Sequence, residues 1–390
     1  MIRVGFVINF NPEKSLGTFN FIINLIKSIS LIDKKKIQPV LIINNNFNNK
    51  FFTYIKTLNT EIIKTNFFNE NIIQRIFNKI LIILFGKSYI YDNFFKKINI
   101  QALSHNPLSL GKKSEIYSYP WFPDFQHLHY PNNFSLLNRI LKKINIIFAA
   151  EHATKIILSS IDSRKDLKKI SKKAYNKSVV NSFAFNLINK NKIVSFKKIK
   201  KKYKIKNNFF YLPNQYFVHK NHIVVLKALK ELLKNKKNKD ILIISTGFNN
   251  DHRHKDYYQK IKSYIKKNNL FENYLYLKIV PFEDMMSLIY HSIALINPSK
   301  FEGWSSSVEQ CKSMSKKIIL SNINVHKEQN PTRGYFFEAD NYIKLSKIMT
   351  RIWFSHNKVI EKIFFSKNFK RNKKKFLEYG FRYQKIILKS

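Results

Sequence analysis

At 390 residues the chain is longer than one hydrophobic core normally supports, so two domains of ordinary size are expected. Lys and Arg number 70 against 24 Asp and Glu, a net charge of +46, but these basic residues are spread along the chain; with no zinc-finger spacing, aromatic RNA-binding signature or arginine-rich stretch, nucleic acid is not the expected partner. A single cysteine excludes an internal disulfide, and no stretch reaches the roughly 18 consecutive apolar residues of a membrane span.

The joint enrichment of Lys, Asn, Ile and Phe is what AT-rich coding would produce. A second source of the charge is attraction to an anionic membrane surface and a phosphorylated lipid acceptor. The opening run MIRVGFVINF has no small-residue cleavage site after it, so no signal peptide is read. The expectation is a cytoplasmic protein that can rest on the inner face of the plasma membrane.

In chain order, Ile2 to Ile8 is a strand buried on both faces. The loop Asn11 to Thr18 (NPEKSLGT), with Gly17 its one glycine, leads into a helix from about Phe19 to Ser30. A strand at Val40 to Ile43 and a flexible Asn-rich loop, Asn44 to Asn49, come next. Ile62 to Thr65 and Ile98 to Leu103 read as strands around an apolar helix, Ile72 to Phe85, whose hydrophobic run is interrupted by Asn78 and Lys79. The stretch Ile116 to Ser135, IYSYPWFPDFQHLHYPNNFS, carries three prolines, an acid, a glutamine and two histidines, more chemistry than a plain connection needs. Phe134 to Ala150 has helical periodicity, Lys155 to Ser159 is a strand, Ser160 is a cap for the next helix, and Val179 to Phe185 is the last strand of this half. The lysine-dense segment Asn189 to Lys206 lacks periodicity and reads as a linker.

Strand and helix alternate again from Phe209 to Leu212. PNQYFVHKNH, Pro213 to His222, joins that strand to a helix with Ile223, Leu226, Leu229 and Leu233 on one side. Ile241 to Gly247 is a strand ending in a glycine that permits a close approach. Asp251 to His254 (DHRH) fits no metal-site spacing and reads as exposed loop. Tyr274 to Val280 is a strand and Pro281 to Tyr290 a helix. The organising stretch is Asn297 to Asn322, between the strands Ile293 to Ile296 and Ile318 to Leu320: a β-loop-α-β unit whose loop lies at the carboxyl edge of a parallel sheet. Ser306 reads as an N-cap, with Glu309 completing a capping box. Free backbone N–H groups there suit a phosphate, and Cys311 on the helix reads as a buried, inert thiol. Val325 to Gln329, Ile343 to Phe354 and a basic helix from about Lys374 to Lys389 close the chain.

FEGWSSSVEQ followed by KKIILSN resembles the donor-site segment of the retaining GT-B glycosyltransferases, the group 1 or family 4 class. The resemblance implies an α/β fold of two Rossmann-like parallel-sheet domains facing across a cleft. Residues 1–188 would form the acceptor side, 189–206 a linker and 207–369 the nucleotide-sugar domain, with a helix at about 370–390 packing back on the first domain. In that family a Glu holds hydroxyls of the donor sugar, and a second, eight positions on, holds the ribose. Here the first is Glu302; the second position is Gln310, with Glu309 one place earlier, and a Gln can still bond ribose hydroxyls. The first loop of the second domain resembles one in which an Arg and a Lys grip the diphosphate; the matching positions are Gln215 and Lys220. Gly303, Trp304, Ser305 and Ser306 would add backbone N–H groups and a helix N-terminus to the donor site. PDFQH resembles a WIPDFQH-type loop, which puts Asp124 and His127 among the catalytic groups and Gln126 on the acceptor side. The loop at Gly17 would approach the donor phosphates or the acceptor, and Val325 to Gln329 would line the donor side. The implied activity moves a hexosyl-type sugar from a nucleotide-sugar to a glycan or lipid-linked acceptor with retention, in bacterial surface polysaccharide synthesis, with no metal and no cofactor. The alternative is a degenerate GT-B protein, without catalysis, that serves as a binding partner in polysaccharide assembly.

Overall fold

The computed structural model describes residues 1–13, 15–106, 108–186, 193–251 and 253–389. The chain divides into two compact units, Met1–Ala184 with Lys374–Ser390, and Phe185–Lys373.

The first unit runs β1 (Ile2–Ile8), α1 (Leu16–Ser30), β2 (Ile37–Ile43), α2 (Asn49–Lys56), β3 (Glu61–Lys64), α3 (Ile72–Phe85), α4 (Tyr89–Lys97), β4 (Ala102–Ser104), β5 (Tyr117–Tyr119), β6 (Trp121–Phe122), α5 (Gln126–His129), α6 (Leu136–His152), β7 (Ile156–Leu158), α7 (Ile161–Ile170), α8 (Lys172–Lys177) and β8 (Ser178–Val180). Five strands form one sheet in the order β3-β2-β1-β4-β5, and three a second, β6-β7-β8. All pairs are parallel. β1 and β2 pair from Ile2 opposite Ile37 to Ile8 opposite Ile43, and their near-continuous apolar runs suit a sheet covered on both faces.

The second unit holds α9 (Phe196–Tyr203), β9 (Phe209–Leu212), α10 (His222–Leu233), β10 (Leu242–Ser245), α11 (Tyr257–Lys267), β11 (Tyr274–Tyr276), α12 (Phe282–His291), β12 (Leu295–Asn297), α13 (Ser306–Ser313), β13 (Ile318–Ser321), α14 (Asn324–Gln329), β14 (Gly334–Phe337) and α15 (Tyr342–Phe354). Its six strands form one parallel sheet, β11-β10-β9-β12-β13-β14. The last helix, α16 (Lys358–Leu388), belongs to the second unit up to Lys373 and to the first from Lys374. Among the described residues no helix is long and apolar enough to cross a membrane.

Several elements differ from the sequence reading. Asn44 to Asn49 is not simply loose loop, because the Asn48 side chain accepts the Lys50 N–H and caps α2. The strand expected from Ile98 to Leu103 starts later: Ile98 ends α4, and pairing begins only at Ala102. The strand expected through Phe185 stops at Val180, and the one expected through Val280 at Tyr276. Of the expected linker, residues 189–192 lie outside the described residues, and Phe196 to Tyr203 is helix. Ser195 accepts the Lys198 N–H to start α9, Ile199 is buried, and Lys202 reaches the Asp284 carboxylate of α12 at 2.5 Å. Phe196, Ile199 and Tyr203 do keep a helical period, hidden in the sequence by the lysines around them.

Candidate functional site

From β9 the second unit builds outward through β10 to β11 on one side, and from β12 through β13 to β14 on the other. The two series diverge between β9 and β12, where Tyr211 lies opposite Leu295. This is a topological switch point, and the loops leaving these two strands open side by side at the carboxyl edge of the sheet, where parallel sheets bind ligands.

Local bonds fix the two loops to each other. After β9 the chain makes a 3-10 turn, Val218–Lys220, and Asn221 adopts a left-handed conformation (φ 55°) that asparagine tolerates better than most residues. Its side-chain amide donates to the carbonyls of Ala339 (2.7 Å) and Pro298 (3.3 Å), and the Lys300 N–H donates to the His219 carbonyl at 2.8 Å. His222 stacks on Tyr216 at 4.1 Å while its Nε2–H donates to the Asn214 carbonyl. Gly247, as its place at a strand end suggested, allows a close approach: at φ 144° an added Cβ would stand 2.5 Å from the Asn214 carbonyl oxygen.

On this frame Lys220, from the β9 loop, meets Glu302, from the β12 loop. The Lys220 ammonium donates to Glu302 Oε1 at 2.7 Å, with the side chains only 17% and 8% exposed. Burial alone would raise the Glu302 carboxyl, but Lys220, His326 and a hydrogen bond from Ser299 outweigh it and hold it at about 2. His326, from the Val325 to Gln329 segment, is fully buried, and burial lowers it to about 4, so it is neutral. Its Nδ1–H donates to the Ser321 carbonyl at 3.0 Å, which leaves Nε2 as a bare acceptor with no partner among the described residues. An ammonium, a carboxylate and an imidazole thus stand within electrostatic reach of one another.

The α13 start departs from the expected capping box. Ser305, not Ser306, is the N-cap, and its hydroxyl makes no capping bond; it accepts from Asn297 Nδ2 at 2.8 Å, within a network that also takes in Ser307 and Ser299. Glu309 cannot reach back because its carboxylate accepts from Lys312 at 2.7 Å and from Gln329 at 2.9 Å. Glu309 therefore anchors α13 on α14, while Gln310, at the position of the second Glu in the resemblance, is buried and Ser306 exposed. Helix α13 thus starts without a side-chain cap from Ser305, and Gly303 and Trp304 just before it are half-buried. Cys311 is fully buried and burial pushes its thiol to about 12, which makes it inert.

Gln215 is exposed on the β9 loop. A cation that the sequence reading passed over stands close by. Arg253 donates from Nε to Asp251 Oδ1 at 3.1 Å, its guanidinium lies 5.3 Å from the Phe217 ring, and with Lys220 it adds to the burial that lowers His219 to about 3. The DHRH segment is accordingly not an exposed loop: Asp251 is buried, while His252 lies outside the described residues. Its signal was a charged pair two residues apart in the loop that follows β10, which resembles solvent-facing sequence until the sheet order is known.

In the first unit, Asp124 Oδ1 accepts the Gln126 N–H at 3.0 Å and so starts the short helix α5. His127 is buried; burial first and then Lys142 lower its affinity for a proton, and its Nε2 has no partner among the described residues. His129 instead pairs with Asp166 at 2.6 Å, itself held by Lys169. Gly17 sits in the first turn of α1 with open space where a Cβ would be. A cavity of about 360 Å³ lies beyond the ends of β1 and β4, lined among others by Glu70, Arg75, Lys79, Asn106, Asn145 and Phe148. Glu70 is fixed there by Asn78 (2.9 Å) and the Tyr91 hydroxyl (2.8 Å).

Residues 195–375 match the family model described as glycosyl transferases group 1. No curated protein matches the chain in sequence. Among solved structures it resembles a glycosyltransferase from Rickettsia africae ESF-5, at 16% identity and a TM-score of 0.66 over 100% of this chain and 99% of that one. It also resembles Anabaena HepE in complex with UDP, at 12% identity and 0.70 over 100% of both chains. WaaG, a glycosyltransferase involved in lipopolysaccharide biosynthesis, matches at 11% identity and 0.58, over 98% of this chain and 95% of that one. The fold, two parallel α/β domains, is that of the GT-B glycosyltransferases.

Proposed function

We propose that this chain is a cytoplasmic glycosyltransferase that moves a hexosyl-type sugar, with retention, from a nucleotide-sugar to a glycan or lipid-linked acceptor in the synthesis of a bacterial surface polysaccharide. The observation that carries the reading is the meeting of Lys220 and Glu302, 82 residues apart, at the switch point of the second sheet. The match of residues 195–375 to group 1 glycosyl transferases supports the class. The involvement of WaaG in lipopolysaccharide biosynthesis supports the choice of pathway.

In this reading the second unit holds the donor. Glu302, ionised throughout the physiological range, accepts from hydroxyls of the sugar, and the bare Nε2 of His326 accepts another. Lys220 has three N–H donors, so it can keep Glu302 in place and still meet a phosphate oxygen. As the glycosidic bond to the diphosphate breaks, negative charge grows on the leaving oxygen. Lys220, Arg253 and the uncapped first turn of α13 with Gly303, Trp304, Ser305 and Ser306 stabilise it, and no resident metal is invoked. Arg253 takes the part that Gln215 cannot. Gln310 binds the ribose, while Glu309 positions α13. In the first unit the neutral imidazole of His127, oriented by the Asp124 turn, takes the proton from the acceptor hydroxyl. Gln126 and the cavity at Glu70 bind the acceptor, and the open first turn of α1 at Gly17 admits close approach of substrate.

The test is release of nucleoside diphosphate from UDP-, GDP- and ADP-sugars in the presence of lipid extract, with UDP-sugars first because the HepE structure holds UDP. One donor is expected to turn over, and Glu302→Gln to lower the rate by at least about 100-fold, the scale of losing one preorganised polar contact in a transition state. No turnover of any donor would leave an inert binding protein as the reading.

A further inference from the structure

Helix α3 is apolar on the wrong side. Its sequence, IIQRIFNKILIILF, is as hydrophobic as that of a core helix, yet of its residues only Asn78 and Ile82 are buried. Asn78 donates to Glu70 at 2.9 Å and accepts from the Ser88 hydroxyl at 2.8 Å, so a polar side chain ties the helix down. Ile73 is 76% exposed, Ile83 70% and Leu84 69%, and Ile72, Ile76 and Phe77 are also exposed. Helix α6 repeats the pattern with Leu136, Leu137, Ile140, Leu141 and Ile144 exposed. The two helices meet where Lys79 Nζ donates to Asn145 Oδ1 at 3.2 Å, so their exposed apolar side chains lie on neighbouring helices. A contiguous apolar surface on this scale marks a place of interaction.

Charge names the partner. Residues 71–91 and 131–150 contain no Asp or Glu, while Arg75, Lys79, Arg139, Lys142 and Lys143 accompany the apolar positions. Apolar and basic residues on one short helical face, with no acid, are the composition of helices that lie in a membrane interface. At 14 residues α3 is roughly 21 Å long, too short to span the hydrocarbon core and long enough to lie along it. A second copy fits less well: a two-fold contact would press the same cations together in a chain of net charge +46.

We propose that the α3–α6 face docks on an anionic lipid bilayer, with Ile72, Ile73, Ile83, Leu84 and Leu137 entering the interface and the lysines and arginines meeting lipid phosphates. The cavity at Glu70 is lined from the same two helices, by Arg75 and Lys79 of α3 and Asn145 and Phe148 of α6, so polar chemistry continues inward from the docked face.

The experiment is co-sedimentation of the full chain with phosphatidylcholine vesicles, with and without phosphatidylglycerol, at low and high salt. It uses no sugar donor, so its outcome is independent of whether sugar transfer is found. Wild type is expected to sediment with the anionic vesicles and to be released by salt. Lys142→Gln with Lys143→Gln should weaken that partition roughly 30-fold, about 5-fold for each charge removed. Ile73→Gln with Ile83→Gln and Leu137→Gln should weaken binding to the anionic vesicles with an unchanged melting temperature, since the positions are exposed. Wild type left in the supernatant with anionic vesicles, or either variant binding like wild type, overturns the proposal. So does a dimer in solution that the apolar variant dissociates, which would assign the face to a second copy.

Discussion

Helices α10 and α3 are both strongly apolar by sequence, and the fold uses them in opposite ways. In α10, His222, Val224, Val225, Leu226, Ala228, Leu229 and Leu232 are buried, in the core that also holds Phe210, Ile243 and Ile296 of the sheet. In α3, Asn78 and Ile82 face inward and the other isoleucines face out. The difference lies in what waits for the polar residue: Asn78 finds Glu70 and Ser88 inside the first unit, a pair of hydrogen bonds that holds the helix with its amide inward. Hydrophobic periodicity therefore predicts that a helix forms; the partners of its polar residues decide which medium its apolar side meets. The loops after β9 and β12 follow the α10 pattern, bonded and buried, as the proposed donor site requires.

The contrast is open to breaking by mutation, and the largest effect is expected at the buried pair. Lys220→Met alone leaves the Glu302 carboxylate uncompensated and is expected to cost about 3–5 kcal/mol; combining it with Glu302→Gln should recover most of that loss, as read by denaturant unfolding. A double-variant loss equal to the sum of the losses of Lys220→Met and Glu302→Gln measured singly would show that the two side chains act on stability separately. Next, Leu226→Ala in α10 is expected to cost about 2–5 kcal/mol, whereas Ile76→Ala in α3 should stay within about 0.5 kcal/mol. A large loss at Ile76 would mean that the α3 face is already covered in the free protein.

The strand-helix alternation and the central β9 and β12 strands were legible because parallel strands buried on both faces carry unbroken apolar runs. On α10 the expected apolar side was off by a part-turn: Leu226 and Leu229 are fully buried, but Ile223 and Leu233 sit at its margins, with Val225 between. Glu302 and Lys220 stood out by their place after strands, but their pairing was not readable, because it depends on β9 and β12 being neighbours in the sheet. The capping box read at Ser306 and Glu309 failed for a related reason: Lys312 and Gln329 compete for Glu309, and Gln329 comes from another helix. Arg253 was missed because a charge pair after a strand looks like solvated loop, and α9 because its three apolar positions are outnumbered by lysine. The outward face of α3 could not be read at all, since Glu70 and Ser88 meet Asn78 only in the folded unit.

The most direct measurement is thermal unfolding of the wild type and of Lys220→Ala with UDP, GDP, ADP and CMP in turn. A nucleotide at about a hundred times its dissociation constant adds roughly 2.7 kcal/mol, a rise of several degrees for domains of this size. One nucleoside diphosphate is expected to raise the melting temperature of the wild type and to leave that of Lys220→Ala where it was without ligand. No shift with any of the four at millimolar concentration, or an equal shift in both proteins, would contradict the donor site assigned to Lys220 and Glu302.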